Sequence, residues 1–262
     1  MNGLQLYYEI HGAGQPLILM HGGIGSTTMF AELLPALLTG RQVIAIDLQA
    51  HGRTADIDRP LRYESMGDDI AGLLRHLDVG QADLMGYSLG GGVALRTAIQ
   101  YPAAVRKLII LSAPCKRDGW YPEVMAAASS AGPDSAEQMK PTPFYEAYAR
   151  TAPRPEDWPV LHAKLGEMVR RDYDWSPEVA ALHIPALLIF GDADSVRPAH
   201  IVEFFEGLGG GKRDAGWNGS GISKARLAII PGVTHYNILS SPLLAPMVND
   251  FLETTPVGSG NS

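Results

Sequence analysis

Short apolar runs alternate with helical patterns over most of the chain. Six of these runs are continuous in hydrophobicity, which is typical of strands in a parallel sheet covered on both faces. They lie at residues 16–20, 43–48, 82–85, 108–111, 186–190 and 227–230. A strand-like pattern at residues 4–10 precedes them. Apolar positions at helical spacing predict helices over residues 68–77, 89–100, 199–208 and 243–252.

The alternation of strand and helix predicts an α/β fold with a doubly wound, mostly parallel sheet. Right-handed crossovers bring the carboxyl ends of parallel strands to one edge of such a sheet, where a ligand site is expected. We assign residues 1–115 and 184–254 to this sheet domain.

Residues 116–183 break the alternation, because they contain helix-like pieces and prolines but no clear buried strand. A stretch of this length is too long for a plain loop in a compact domain. We therefore predict a helical cap inserted into the sheet domain, in which some of the bulky apolar residues line a pocket. The candidate substrate contacts in the cap are Trp120, Met125, Phe144, Tyr145 and Trp158.

Charge and composition exclude several classes of partner. The formal net charge is −7 and the basic residues form no run, which argues against nucleic acid and anionic membrane surfaces. Cys115 is the single cysteine, so an intrachain disulfide cannot form. No signal-peptide pattern or bilayer-spanning run is present, and we expect a cytoplasmic protein. The small, polar residues 255–262 predict a disordered tail.

The pentapeptide Gly86-Tyr87-Ser88-Leu89-Gly90 lies between a predicted strand and a predicted helix. A serine on such a turn adopts a strained backbone that lifts its hydroxyl above the sheet edge. The helix N-terminus directs free N–H groups at the same point. We predict that Ser88 is a nucleophile, which requires a general base.

His235 is the histidine that directly follows the last predicted strand, so it reaches the same edge of the sheet. Two aspartates follow the strand before it. We favour Asp194 as the carboxylate that orients His235, because Asp194 is expected at the loop apex before Pro198 opens a helix. Asp192 remains the alternative.

A glycine-rich loop, His21-Gly22-Gly23-Ile24-Gly25, follows the first buried run. Acyl transfer needs N–H donors where negative charge develops on the carbonyl oxygen. We predict the Leu89 and Gly23 backbone N–H groups as the oxyanion hole, with Ile24 as the alternative to Gly23. We interpret His21 as a structural brace. Ile24 and Tyr87 are further candidate substrate contacts.

Together these motifs resemble the α/β-hydrolase superfamily over essentially the whole chain outside the cap. Residues 47–54 are similar to the family's D-x-x-G-x-G-x-S segment, with Ala50 and Thr54 replacing its usual glycine and serine. The resemblance implies an eight-stranded sheet and a Ser-Asp-His triad, with no metal and no organic cofactor. Ser88 argues against the dehalogenases and epoxide hydrolases of the family, which use an aspartate nucleophile.

What remains resembles small serine carboxylesterases and lactonases. We expect hydrolysis of short or medium acyl esters, or aryl esters, through an acyl-enzyme. Ring opening of lactones, including acyl-homoserine lactones, is the alternative. A carbon–carbon bond hydrolase, a lyase and a non-catalytic ligand receptor on the same fold are weaker hypotheses. The partner is a small-molecule ester or lactone, and the sequence leaves the oligomeric state open.

Overall fold

A single mixed sheet forms the centre of the computed structural model, which describes residues 1–254. The strands are β1 (Tyr8–Gly12), β2 (Gln15–Met20), β3 (Arg41–Ile46), β4 (Ala82–Tyr87), β5 (Val105–Leu111), β6 (Ala186–Ala193) and β7 (Ala225–Thr234). Their order across the sheet is β1-β3-β2-β4-β5-β6-β7. β1 runs antiparallel to β3, and the other neighbouring strands are parallel.

Helices cover both faces of this sheet, and further helices lie in the segment between β5 and β6. They are α1 (Leu34–Leu37), α2 (Tyr63–His76), α3 (Leu89–Gln100), α4 (Pro122–Ser129), α5 (Pro133–Met139), α6 (Pro143–Thr151), α7 (Trp158–Arg170), α8 (Ser176–Ala180), α9 (Pro198–Gly207) and α10 (Leu244–Glu253). Short 3₁₀ segments connect several of them. The predicted α/β class with a doubly wound, mostly parallel sheet is confirmed.

Successive residues of the central strands enter two different cores, which explains their continuous hydrophobicity. In β2, Leu17 and Leu19 pack with residues of α1 and α10 on one face of the sheet. Ile18 and Met20 pack with α2, α3 and α9 on the other face. All four side chains are fully buried. Both faces of the strand are therefore inaccessible to water, as a doubly wound sheet requires.

The expected eighth strand is wrong, because the sheet has seven strands within residues 1–254. Residues 1–7 lie ahead of β1 and belong to no strand, although the Tyr7 carbonyl accepts from the Asp47 N–H at 3.1 Å, next to the last β1–β3 pair. The Leu4 N–H donates to the Met1 carbonyl in a turn, and the Tyr7 N–H donates to the Thr54 hydroxyl. Leu4 and Leu6 still fill the core, so their apolar pattern reflects burial without sheet pairing.

Residues 116–183, inserted between β5 and β6, carry α4 to α8. Trp158 is the centre of their packing: it is fully buried, and its indole N–H donates to the Ala136 carbonyl at 2.9 Å. Lys164 ties α7 to the sheet domain by donating to the Asp56 carboxylate and to the Ile57 and Arg59 carbonyls. The predicted disordered tail, residues 255–262, lies outside the described residues.

Candidate active site

Ser88 lies on a sharp turn between β4 and α3. Its backbone has φ 52° and ψ −115°, a conformation that L-residues rarely adopt. The glycines on either side make the turn possible. A Cβ on Gly86 would lie 2.0 Å from the Gly90 carbonyl oxygen, and a Cβ on Gly90 would lie 2.2 Å from the Met20 carbonyl oxygen. The turn therefore holds the Ser88 hydroxyl at the carboxyl edge of the sheet.

His235 stands between Ser88 and Asp194. Its Nε2 lies 3.1 Å from Ser88 Oγ, and its Nδ1 lies 3.1 Å from Asp194 Oδ1. His235 and Asp194 are both buried. Since the carboxylate accepts from Nδ1–H, the neutral ring carries no proton on Nε2, which is then free to accept the Ser88 proton.

Asp194 is held by several donors besides His235. Its Oδ2 accepts from the Ser112 hydroxyl at 2.5 Å and from the Gly191 N–H at 3.1 Å. Its Oδ1 also accepts from the Val196 N–H at 3.3 Å. Burial alone would raise the pKa of Asp194, but the hydrogen bonds from His235 and Ser112 outweigh it and lower the pKa. The carboxylate thus stays ionised next to His235.

Asp192, the alternative acid, points elsewhere. It is exposed, and its carboxylate accepts from the Gly232 N–H at 2.8 Å. The structure therefore brings Asp194, and not Asp192, into contact with His235.

Sequence reasoning did not single out Ser112, which supports Asp194. It directly follows β5 and has φ 51°, so it occupies the strand-end position at which polar residues of a parallel sheet gather. Because Ser112 directly follows a buried apolar run, the sequence alone could have indicated that it lies near the site.

Tyr87, a predicted substrate contact, lies beneath His235. Its ring is buried, and its hydroxyl donates to the His235 carbonyl at 2.8 Å. The two rings are 5.3 Å apart. In this position Tyr87 supports the loop that carries His235.

The loop after β2 packs directly on the Ser88 turn. The Gly22 carbonyl accepts from His21 Nδ1–H at 2.7 Å and from the Gly25 N–H at 3.2 Å. The C=O and N–H of a trans peptide point in opposite directions, so the anchored Gly22 carbonyl fixes the direction of the Gly23 N–H. A Cβ on Gly22 would lie 3.5 Å from Ser88 Cβ, which places this peptide beside the nucleophile.

Ile24, the alternative donor, has φ 53°, an unusual value for a β-branched residue. The other expected donor, Leu89, is the first residue of α3, where the backbone N–H groups have no partner within the helix. The two predicted donors therefore come from different elements, Gly23 from the loop after β2 and Leu89 from the start of α3.

His21 and the neighbouring His51 form a buried pair with their ring centroids 5.1 Å apart. His21 Nε2 accepts from the Leu48 N–H, and the His51 Nδ1–H donates to the Gln49 carbonyl. His51 Nε2 has no hydrogen-bond partner within the described residues. Burial lowers the pKa of His21 to about 4 and that of His51 to about 3. Both rings are therefore neutral near pH 7.

We expect this pair to make the protein sensitive to acid. Below pH 6.5, the ordinary histidine pKa, the unfolded chain binds protons that the folded chain excludes, so stability falls as the pH falls towards about 4. For His21 the shift from 6.5 to about 4 corresponds to about 3 kcal/mol. Urea unfolding at a series of pH values should show a smaller dependence in His51→Gln than in the wild type. The exposed His76 provides the control variant His76→Gln, and equal pH dependences in all three proteins would contradict the expectation.

A cavity of about 200 Å³ opens beside Ser88 and His235. Two predicted contacts, Trp120 and Met125, line it. Sequence reasoning missed the other side chains of its wall, which are Tyr63, Val124, Ala128, Met168, Val169, Tyr173, Ser195 and Tyr236. Ser195 and Tyr236 carried a usable signal, because each directly follows a predicted catalytic residue.

The remaining predicted contacts lie away from this cavity. Ile24 and Phe144 line a separate groove of about 230 Å³ between the loop after β2 and α6. Tyr145 packs against Trp158, with ring centroids 5.5 Å apart, inside the helical segment. Trp158 itself is fully buried there. The structure thus brings two of the five cap candidates to Ser88.

Within residues 1–254, no group of three or more His, Cys, Asp or Glu side chains is arranged to hold a metal ion. In the same part of the chain, no helix has the length and apolar character needed to cross a membrane.

Comparison with known proteins gives the family. The family model of the α/β-hydrolase fold matches residues 15–139. The AB hydrolase superfamily protein YisY of Bacillus subtilis (strain 168) is 30% identical over 221 residues, which covers 74% of this chain and 79% of YisY. The chain therefore belongs to the α/β-hydrolase superfamily.

Three further similar proteins are a lipase, an esterase and a lactonase by name. The sn-1-specific diacylglycerol lipase ABHD11 of Danio rerio is 36% identical over 113 residues, which are 41% of this chain and only 35% of that relative. A thermophilic esterase of Thermogutta terrifontis has 25% identity and a TM-score of 0.70, covering 95% of this chain and 93% of its own. The enol-lactonase of Burkholderia xenovorans LB400 has 22% identity and a TM-score of 0.70, and the match covers 97% of this chain and 98% of the enol-lactonase chain.

Proposed function

We propose that this chain is a serine hydrolase that cleaves carboxylic esters through an acyl-enzyme. The observation that carries the proposal is the position of His235, with one ring nitrogen 3.1 Å from Ser88 Oγ and the other 3.1 Å from Asp194. The esterase among its structural relatives supports the same chemistry.

Acylation begins when His235 Nε2 removes the Ser88 proton and Oγ attacks the ester carbonyl carbon. The Leu89 and Gly23 N–H groups stabilise the negative charge on the carbonyl oxygen, each contributing about 2.7–4 kcal/mol. Asp194 keeps His235 in the right tautomer and stabilises the imidazolium without taking the proton. His235 then gives the proton to the leaving alkoxide oxygen, and the alcohol departs.

Deacylation repeats these steps with water as the nucleophile. His235 removes a proton from water, the resulting hydroxide attacks the acyl carbon, and the bond to Ser88 Oγ breaks with return of the proton to Oγ. The acid product leaves and the free enzyme is restored. In this proposal residues 116–183 act as a cap, since α4 and α7 supply one wall of the cavity at Ser88.

Reaction with a fluorophosphonate probe tests the proposal directly. We expect stoichiometric labelling, with the added mass on the peptide that contains Ser88, because the probe requires an activated serine. A panel of 4-nitrophenyl esters and homoserine lactones should then show higher kcat/KM for the esters.

Two outcomes would contradict the proposal. Absence of labelling, combined with measurable binding of a small molecule, would indicate a receptor. Ester hydrolysis and lactone ring opening use the same catalytic groups, so only the kinetics separate them. A kcat/KM for lactones more than about tenfold above that for esters would indicate a lactonase.

A further inference from the structure

The cavity at Ser88 has two chemically different walls. One wall is aromatic and consists of Trp120, Tyr63 and Tyr173. The other comes from α4 and α7 and is aliphatic, with two methionines, Met125 and Met168, among its residues. A flat aromatic ring can pack against the tyrosine and tryptophan rings and make favourable sulfur contacts with the methionines. A linear alkyl chain gains neither interaction.

The aromatic wall is held rigidly. The rings of Tyr63 and Tyr173 pack against Trp175, with centroid distances of 5.0 and 4.5 Å. Gly92, in the first turn of α3, makes room for Tyr63, because a Cβ there would lie 2.4 Å from Tyr63 Cε1. Trp120 packs edge-on against His235, with centroids 5.5 Å apart. The wall is therefore formed before any substrate binds, which reduces the entropic cost of binding.

The cavity lies on the histidine side of Ser88. His235 and Tyr236 line it, whereas Gly23 and Ile24, in the predicted oxyanion loop, do not. In the tetrahedral intermediate His235 must reach the leaving oxygen in order to protonate it. The group on the His235 side is thus the alcohol portion of the ester, and the acyl portion extends to the other side.

The volume limits the size of that alcohol. An apolar protein cavity of about 150 Å³ holds one benzene molecule. The volume here, about 200 Å³, accommodates a ring with one further carbon, whereas the second of two linked rings would extend beyond the residues that line the cavity.

We propose that this cavity selects esters of alcohols that carry a single phenyl-sized ring, such as benzyl alcohol. The inference rests on the proposed function. In the reaction the bond between Ser88 Oγ and the acyl carbon forms and the bond between the acyl carbon and the benzyl oxygen breaks. That oxygen takes the proton from His235 and leaves as benzyl alcohol.

Four acetate esters test this selectivity: ethyl, benzyl, cyclohexylmethyl and 4-phenylbenzyl acetate. Benzyl and cyclohexylmethyl alcohols are similar in size and acidity, so the comparison isolates aromaticity. We expect kcat/KM for benzyl acetate to exceed that for cyclohexylmethyl acetate by about fivefold, from the aromatic contacts. It should exceed that for ethyl acetate by at least about thirtyfold, from the added apolar contact. The 4-phenylbenzyl ester should be at least about tenfold poorer than the benzyl ester.

A matched pair of variants on α4 tests whether this cavity causes the preference for benzyl esters. Ala128 lines the cavity, whereas its neighbour Ala127 is exposed and lies outside it. Ala128→Trp should fill the cavity and lower the ratio of kcat/KM for benzyl to ethyl acetate by at least about thirtyfold. Ala127→Trp, with the same added side chain on the same helix, should leave this ratio within about twofold. Thermal unfolding of both variants monitors folding.

Failure of this inference differs from failure of the proposed function. If Ser88 is not the nucleophile, fluorophosphonate labelling and turnover of every ester are absent. If labelling occurs but benzyl and cyclohexylmethyl acetate react equally, the selectivity for a ring is wrong. If Ala128→Trp instead discriminates between ethyl acetate and ethyl phenylacetate, the cavity binds the acyl portion and the inference is overturned.

Discussion

Ser88→Ala is expected to lower kcat for ester hydrolysis by about 10⁶-fold, which is the scale for removing the nucleophile of a serine hydrolase. Alanine keeps the Cβ of serine, so the strained backbone at φ 52° is neither relieved nor made worse. The variant loses only the oxygen that lies 3.1 Å from His235 Nε2. The substitution should therefore lower kcat and leave the melting temperature almost unchanged.

The measurement is the initial rate with 4-nitrophenyl acetate, corrected for hydrolysis in buffer, together with the melting temperature. Ser195 is the other serine that lines the cavity, and it provides the comparison. Ser195→Ala should keep kcat within about tenfold of the wild type, since Ser195 has no place in the proposed proton transfer. Full activity of Ser88→Ala would show that the mechanism is wrong.

The positions of Ser88, Asp194 and His235 could be predicted because each one directly follows a parallel strand that is recognisable as an apolar run in the sequence. Continuous apolar runs identify such strands, and the topology of a doubly wound sheet brings their carboxyl ends together. Long-range proximity of residues 88, 194 and 235 is thus implied by local patterns. The same reasoning would have reached Ser112, which follows β5 in the same way.

The lining of the cavity could not be predicted in this way. Tyr63 begins α2, and Met168 and Tyr173 lie at the end of α7 or beyond it, so the wall depends on how separate helices pack. Bulky aromatic residues fill a helical core as readily as they line a pocket. Trp158 shows this ambiguity, because its size and position suggest a substrate contact and the structure buries it completely.

The strand-like pattern at residues 4–10 was only partly right, because β1 begins at Tyr8. Apolar residues at alternate positions, such as Leu4 and Leu6, indicate that one face is buried, but they do not supply a neighbouring strand. The eighth strand implied by the family resemblance was not assigned to particular residues. Ahead of Tyr8, the backbone turns back on Met1 and the Tyr7 N–H donates to the Thr54 side chain. The alternating pattern thus indicates that Leu4 and Leu6 are buried, whereas strand pairing of these residues depends on contacts with residues far along the chain.

Asp194→Asn is expected to lower kcat by about 10⁴-fold, the scale for losing the correct histidine tautomer. Ser112 O–H and Gly191 N–H donate to Asp194 Oδ2 at 2.5 and 3.1 Å, whereas only the longer bond from Val196 N–H, at 3.3 Å, joins the backbone to Oδ1. We therefore expect the amide oxygen of the asparagine at the Oδ2 position. Its NH₂ group then faces His235 Nδ1 and donates to it. The His235 proton is forced onto Nε2, which can no longer accept the proton of Ser88.

Asp192→Asn is the matched control for this substitution. Within residues 1–254 the Asp192 carboxylate accepts a single hydrogen bond, from the Gly232 N–H, and an asparagine side-chain oxygen can do the same. We expect its kcat to stay within about threefold of the wild type. Steady-state kinetics with 4-nitrophenyl acetate and melting temperatures of both variants check the prediction. A large loss in Asp192→Asn with an active Asp194→Asn would reverse the assignment. Asp192 lies at the end of β6 and Asp194 directly after it. Because the same change of charge is made at two positions this close, a difference between the variants reports contact with His235 and not the local electrostatics.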